Sequence, residues 1–560
     1  MGLSDRLVNL GFDLAMATFG RCAHASLLRS AASPRSAQER TLRSILTGVA
    51  PTAFARSLGL DGQESIDAFR SRVPIHDYES IRPFVDRQIA GEAAAIAPEQ
   101  PLMYARTSGT TGAPKLVPVT PTVLEGLRRA QRAMAYVQHR AGVFSGKVLA
   151  IAGTSREVML PGGVPAGATT GLIYETMPRL MRAKYVVPTE VGAIADTALK
   201  YETVVRLGLQ SEDVSVIATA NPSTILRLEQ VIGEVGPDAL ADIAEGTFAG
   251  LARLPSNEAA AIRRVLRRAP DRARALGARL DASGRLTLAD LWPGLRAVVT
   301  WTQGSCALAA SAVASLLPPG ARVIEAGYVA SEARSTVIVD ADRGLGLPLL
   351  DDVFFEFVPV EDWDRGVRHT LLLDRIEPGR DYHIIVTTAA GLLRYHMNDV
   401  VRATDLIGAT PTLAFLRKGR GVTNITGEKL AEDQVNAAVR QLAIGLGVNI
   451  PFYLLIADDV GASYIAHLQI DGKVADQTVV AAELDQNLAR LNLEYESKRK
   501  SGRLKPLAVN LLSPDAASAY HRHLVAQGQR EAQLKVLTLQ RRQDCDFDFH
   551  AYARTTAHAA

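Results

Sequence analysis

Residues 104–120, YARTSGTTGAPKLVPVT, gather five Ser and Thr hydroxyls and two glycines around one lysine. Each part suits an anion. Glycine lets the backbone come close, and successive N–H groups can form a concavity for negative charge. Hydroxyls rotate to donate, and Lys115, placed directly after Pro114, adds a positive charge. The spacing excludes two familiar phosphate loops. A P-loop needs Gly, four residues, then Gly-Lys-Ser/Thr, but here Gly109 and Gly112 are three apart and Leu116 follows Lys115. Gly-x-Gly-x-x-Gly is absent as well. What remains is a phosphate-binding loop of another kind, or a plain Ser/Thr/Gly turn between two strands.

Other reactive residue types form no constellation. His521 and His523 are two apart, with no Cys or acid at metal-site spacing, so a solvated helix end is the better reading. Ser331 has no Gly-x-Ser-x-Gly around it. Cys22, Cys306 and Cys545 lie far apart, which fits neither a metal site nor a disulfide framework and suits a reducing cytoplasm.

A loop of this kind needs a frame. "MYA" before it and "LVPVT" after it read as short strands. Further along, "KVLAIAG", "DVSVIATANPSTILRLEQVI", "LRAVVTWTQGS" and "ARVIEAGYVASE" each read as a strand running into a polar turn. That alternation predicts α/β layering, with four polar turns at strand ends able to converge on one site. After residue 350 the pattern changes to an antiparallel meander: "FFEFVPV", "YHIIVTTAAGLLRYHMNDVVRA", "TLAFLRK". From about 410 a β-α-β-β-α-β order is expected, with strands 412–417, 452–457, 464–470 and 504–512 and helices 430–446 and 476–495. The expected division is therefore 1–408 for a large nucleotide- and acyl-binding unit and 409–560 for a small α+β unit.

Composition sets bounds. The chain has 560 residues, 47% of them hydrophobic and 22% charged, enough for more than one packed domain. A net charge of +3 asks for no nucleic acid. The basic run 263–280 reads as the solvated face of a helical pair. The N-terminus reads as an amphipathic helix with Leu7, Leu10, Leu14 and Met16 near one face, not as a signal peptide. No apolar run is long enough to span a bilayer.

Several segments, in order, resemble one family. "TSGTTGAPKLVPVT" is similar to the phosphate loop of adenylate-forming enzymes, which include acyl-CoA synthetases, firefly luciferase and nonribosomal peptide adenylation domains. "GYVASE" (327–332) resembles their YGxTE segment, and "RYHMNDVV" (394–401) the segment whose Asp binds ribose. The finer resemblance is to the GH3 acyl acid–amido synthetases. It rests on "FRSRVPIHDYESIRPFVDRQIAGE", "LWPGLRAVVTWTQGS", "GEKLAEDQV", "YESKRKSGRLKPLAV" and "GQREAQLKV".

The resemblance implies a large adenylate-forming N-terminal domain and a small mobile C-terminal domain. It implies ATP and Mg²⁺ as cofactors, and a carboxylic acid and an amine, usually an amino acid, as substrates. The acid becomes an acyl-adenylate with loss of pyrophosphate, and the amine then expels AMP. By position, Ser108, Gly109, Thr110, Thr111 and Lys115 would cradle the β- and γ-phosphates. Tyr328 would pack on adenine and Ser331 would border the nucleotide. Glu332 would help hold Mg²⁺, Asp399 would accept the ribose hydroxyls, and Arg417, with Arg420 as competitor, would make a second nucleotide contact. Gly304 and Ser305 would border the acyl pocket, as would the helix after Thr120, with Arg128 or Arg129 in it. Lys535 would neutralise charge between the carboxylate and the α-phosphate. A thiol acceptor, or a binding protein without catalysis, are the alternatives; the acid, the amine and the oligomeric state are left open. Two departures stand out: "RKGRGVTN" lacks the acidic hinge residue common in the superfamily, and Ala333 stands where many relatives have Gly.

Overall fold

The computed structural model describes residues 3–106, 115–419, 421–423, 425–426, 428, 430–472, 476–527, 529 and 536–554. The first hundred residues are helical, as their apolar spacing predicts. In the Leu3–Ala15 helix, Leu7, Leu10 and Leu14 point to solvent, and of the predicted apolar face only Met16, one residue beyond the helix, is buried. Met103–Arg106 and Leu116–Val119 pair antiparallel, so the Ser/Thr/Gly segment is the connection of a hairpin. Residues 107–114 of that connection, including Ser108, Gly109, Thr110 and Thr111, lie outside the described residues. Thr120 then caps the Pro121–Arg140 helix by accepting from the Val123 N–H, with Pro at the first turn where no donor is missed.

The four strand-and-turn units form one parallel sheet: Lys147–Ala150, Val214–Ala218, Ala297–Thr300 and Arg322–Glu325, side by side in chain order. Their near-continuous apolar runs are what a sheet covered on both faces requires. One face packs under the helices of residues 197–316, around Trp292. The other packs against the Pro121–Arg140 helix through Met134, Val148, Val216 and Val299. Arginines of 263–280 are mostly exposed on a helical pair, as their density predicts, though Arg272 turns inward to the Leu291 carbonyl.

The meander is a five-stranded antiparallel sheet ordered Leu371–Leu372, Val353–Pro359, Asp381–Thr388, Tyr395–Ile407, Thr410–Lys418. It is pinned to the N-terminal helices by a buried ion pair. Arg394, held at φ +45°, donates from Nε and Nη2 to the two oxygens of Glu356, each at 2.9 Å, and from Nη1 to the Arg70 and Val73 carbonyls. The same carboxylate accepts from the Thr370 hydroxyl at 2.6 Å and lies 3.3 Å from Arg70 Nε.

Here one expectation is corrected. The strand at 412–417 does not open the C-terminal sheet. It is the last strand of the meander, paired with Tyr395–Ile407. The 408/409 position falls in the turn of that hairpin. The C-terminal sheet instead runs Ala508–Leu511, Ser463–Asp471, Asn449–Asp458, Leu539–Arg541, its fourth strand supplied from the tail and parallel to the third. The Glu432–Leu446 and Gln477–Leu491 helices cover one face. The predicted helix 476–495 breaks at Asn492, whose side chain leaves the helix to accept from the Tyr495 N–H and start Leu493–Lys500.

Candidate active site

All four parallel strands end at one cavity of about 1050 Å³. Their following turns line it: residues 151–152, 219–220, 301 and 329–334. Crevices beyond the carboxyl ends of strands are where ligands bind in such sheets. The expected convergence of polar turns is thus observed. The Pro121–Arg140 helix closes one side with Val123, Leu127, Gln131, Met134 and Gln138, a run at helical spacing. The meander closes another with Tyr395–Asn398 and Lys418. Apolar side chains such as Phe144, Val148 and Tyr185 line one part; Arg82, Lys115, Glu332 and Lys418 line another.

Lys115 emerges from the hairpin into this charged part. Its Nζ donates to the Tyr395 hydroxyl at 3.0 Å and lies 5.7 Å from the ring centres of Tyr78 and Tyr395. Tyr78 fixes the adjoining strand: its hydroxyl accepts from the Leu116 N–H at 2.7 Å and donates to the Leu116 carbonyl at 3.1 Å. Glu332 and Ser331 line the same cavity. Among the described residues no hydrogen bond or ion pair restrains the Glu332 side chain, and no group of three metal-ligating side chains is preformed.

Asp399 lies just behind the wall. It is 1% exposed, while its neighbours Asn398, Lys418 and Gly419 line the cavity. The Tyr328 hydroxyl donates to Oδ2 at 2.5 Å, and Lys418 Nζ is 2.5 Å from Oδ1. Burial works against the Lys418 charge, but Asp399 outweighs it and holds the amine above its usual range. Burial and the Asp399 charge push the Tyr328 phenol up, so it stays protonated and donating. Tyr328 is therefore core rather than cavity wall: it is 5% exposed and packs against Phe415 with ring centres 5.6 Å apart. In this arrangement it positions Asp399 instead of offering a face to a base.

Three further expectations are placed elsewhere. Arg417 points to the C-terminal unit, with Nε 3.3 Å from Asp433 Oδ1, and does not line the cavity. Gly304 is not at the cavity either. It takes φ +58° and backs onto the last meander strand, where an added Cβ would meet the Phe415 ring at 2.9 Å; the Ser305 side chain is outside the described residues. Arg128 and Arg129 face away, towards the Thr176 carbonyl and Asp352. Lys535 lies outside the described residues.

Sequence reasoning missed an aromatic stack and a buried cation. Trp363 stacks on His396 and His383, with ring centres 4.1 and 4.6 Å away, and Trp363 and His396 face the cavity. Burial lowers His383 to about 3 and His396 to about 4, so both imidazoles are neutral at neutral pH. Arg334, two residues past Glu332, is 8% exposed at the cavity. The signal was a lone cation in the small and apolar stretch 328–341, which periodicity does not weigh.

Comparison with known proteins decides the family. The GH3 family N-terminal domain matches residues 23–318, the central domain 346–418 and the C-terminal domain 433–544. The chain belongs to the GH3 family. Among GH3 relatives it is 24% identical over 533 residues to a jasmonoyl–L-amino acid synthetase of Oryza sativa subsp. japonica, covering 89% of this chain and 91% of that one. It is 26% identical over 546 residues to an indole-3-acetic acid-amido synthetase of Oryza sativa subsp. indica, covering 89% and 87%. The fold matches a solved GH3 acyl acid amido synthetase with a TM-score of 0.81 at 21% identity, over 94% of both chains. A 2-hydroxyisobutyryl-CoA ligase in the postadenylation state shares the fold more distantly, with a TM-score of 0.52 at 13% identity, over 89% of this chain and 94% of that one. This GH3 chain thus has the adenylate-forming architecture, with a large N-terminal and a smaller C-terminal part. No helix among the described residues is long and apolar enough to cross a membrane.

Lys115 yields a direct prediction. Lys115→Met should raise the ATP concentration for half-maximal rate roughly tenfold to a hundredfold, the worth of one charge-assisted contact. Its melting temperature should stay within a few degrees, because Tyr78 rather than the amine holds the strand. A variant that instead fails to fold would make this end of the hairpin a structural element.

Proposed function

We propose that the protein is an ATP-dependent, AMP-forming ligase that joins a carboxylic acid to an amine, with an amino acid as the amine. The observation that carries this reading is the cavity in which Lys115, Glu332 and Lys418, with Asp399 just behind it, meet an apolar chamber large enough for an acid beside a nucleotide. In the first step a carboxylate oxygen attacks the α-phosphorus of ATP, the bond to the β-phosphate oxygen breaks, and pyrophosphate leaves. In the second the amine nitrogen attacks the acyl carbon, the bond to the phosphate oxygen breaks, AMP leaves, and the nitrogen loses a proton. A carboxylate is a poor electrophile, and adenylation gives it a leaving group.

The chain's own groups have mainly to orient and neutralise, which is most of what phosphoryl chemistry asks of a protein. Lys115, with Ser108, Gly109, Thr110 and Thr111, holds the β- and γ-phosphates. Asp399 holds the ribose, Tyr328 holds Asp399, and Ser331 borders the nucleotide. Lys535, brought in by a mobile C-terminal unit, supplies positive charge at the reacting carboxylate. Glu332 fits Mg²⁺, which commonly takes one or two carboxylates and completes its shell with phosphates and water. When bound, Mg²⁺ supplies charge neutralisation on the phosphates. The three free cysteines favour the cytoplasm as the place of action.

The test is pyrophosphate release with ATP and Mg²⁺ over a panel of carboxylic acids, with and without mixed amino acids. Acid-dependent release that rises with an amino acid, with a new amide by mass spectrometry, is expected. Lys535→Ala should slow that release far more than it weakens ATP binding; equal turnover would remove Lys535 from the mechanism. Release that responds to coenzyme A and not to amines would reassign the acceptor as a thiol.

A further inference from the structure

Arg334 is a cation out of water with no anion beside it among the described residues. One of its terminal nitrogens donates to Gln131 Oε1 at 3.2 Å, and the other meets only the Met134 sulfur at 2.8 Å, a weak acceptor. Its Nε has no partner among the described residues. No Asp or Glu among the described residues forms an ion pair with it, and burial alone pulls its pKa down to about 10. A buried guanidinium left unpaired is costly, and natural chains keep such groups where a ligand completes them.

Two other unpaired polar atoms share its chamber. Gln131, Met134 and Gln138 follow one another along one face of the Pro121–Arg140 helix, and Gln138 Nε2 is buried without a partner. Thr169 Oγ1, at the start of the Thr169–Glu175 helix, is likewise buried without a partner among the described residues. All three residues line the cavity, and around them the wall is apolar, with Phe144, Val148 and Val299. Donors set into an apolar wall, with a fixed charge among them, describe a pocket for an oxyanion carried on a hydrocarbon frame. The planar fork of arginine suits a carboxylate in particular.

Resting on the ligase reading, we propose that the acid substrate is a dicarboxylate: one carboxyl is adenylated near Glu332 and Lys115, and the second is held by Arg334, with Gln138 as a supporting donor. Arg334 is then a specificity residue. It neutralises the far end of the substrate and takes no part in the bond changes.

The experiment compares matched pairs of acids, glutarate with butyrate and isophthalate with benzoate, in adenylate formation by the full-length protein. The unsubstituted enzyme should favour the diacid of at least one pair. Arg334→Met should lower kcat/KM for that diacid roughly a hundredfold, mainly through KM, because a site built for a polar partner loses most when the pairing is broken. The matched monoacid should change less than about threefold under the same principle. Arg334→Lys should recover part of the loss, and Gln138→Leu should show a smaller effect of the same kind. Melting temperature checks the fold: Arg334→Met removes an unpaired buried charge and should not lower it. Preference for monoacids by the unsubstituted enzyme would overturn the proposal and leave the ligase reading standing. Equal losses for diacid and monoacid would also overturn it, placing Arg334 at the reacting carboxylate. If no acid releases pyrophosphate, thermal shift decides. Stabilisation by the diacid alone, lost in Arg334→Met, would keep the pocket assignment and remove the ligase reading; no diacid-specific stabilisation would overturn both.

Discussion

Asp399→Asn should weaken nucleotide binding by roughly a hundredfold to a thousandfold, the worth of two charge-assisted hydrogen bonds given up together. The carboxylate is almost fully buried and already committed to two groups, the Tyr328 hydroxyl and the Lys418 amine. Lys418 is the one that lines the cavity, so under the proposed function ribose hydroxyls would reach Asp399 by displacing its Nζ. Asparagine keeps the shape and an acceptor for Tyr328, but loses the charge that makes both contacts strong. Titration calorimetry with a non-hydrolysable ATP analogue measures the effect directly. Lys418→Met separates two routes. If Asp399 holds the ribose itself, this variant binds the analogue within a few-fold of the unsubstituted protein. If Asp399 acts by aiming Lys418, both variants lose the same amount. Unchanged affinity in Asp399→Asn would exclude a nucleotide role for either.

Glu356→Ala should cost about 3–5 kcal/mol of stability, among the largest effects a single change can have away from the cavity. Three groups converge on this one carboxylate, which is 1% exposed: the Arg394 fork, the Thr370 hydroxyl and Arg70. Alanine leaves the Arg394 cation buried with two carbonyls and the Thr370 hydroxyl, all uncharged, to meet it. Urea unfolding followed by near-ultraviolet circular dichroism would read a lower midpoint with little change in slope. Glu356→Leu combined with Arg394→Met should be less damaging than either alone, because no charge is stranded. If the double variant is as unstable as the sum of the singles, the pair contributes through packing and not through its charges.

Much of this architecture was legible in the chain. The parallel sheet could be read because its strands are continuous apolar runs that each end in a polar turn, and such a pattern leaves few topologies. Lys115 and Glu332 could be read because a hairpin connection and a strand-end turn are local features. The errors share a cause. Residues 412–417 look like a strand in either sheet, and only their partner decides; the partner, residues 395–407, lies across a turn too short to reveal a change of domain. Tyr328 and Asp399 were each placed by motif, but the hydrogen bond that couples them, 71 positions apart, and the Lys418 contact that covers Asp399 are made by folding alone. Arg334 escaped because a single arginine has no period, and its meaning comes from the absence of a neighbour.

The end of the last meander strand has one more consequence. Arg417 and Lys418 are adjacent, so a strand points them to opposite sides. Lys418 grips Asp399 within its own sheet, whereas Arg417 grips Asp433 at the start of the C-terminal unit. A swivel of that unit, as the proposed function asks, would break the outer grip and the packing of the Glu432–Leu446 helix and the Asn449–Asp458 strand on the larger part, while the inner grip would stay made. The inner contact is thereby insulated: under the proposed function, the small unit would turn without breaking the grip on Asp399.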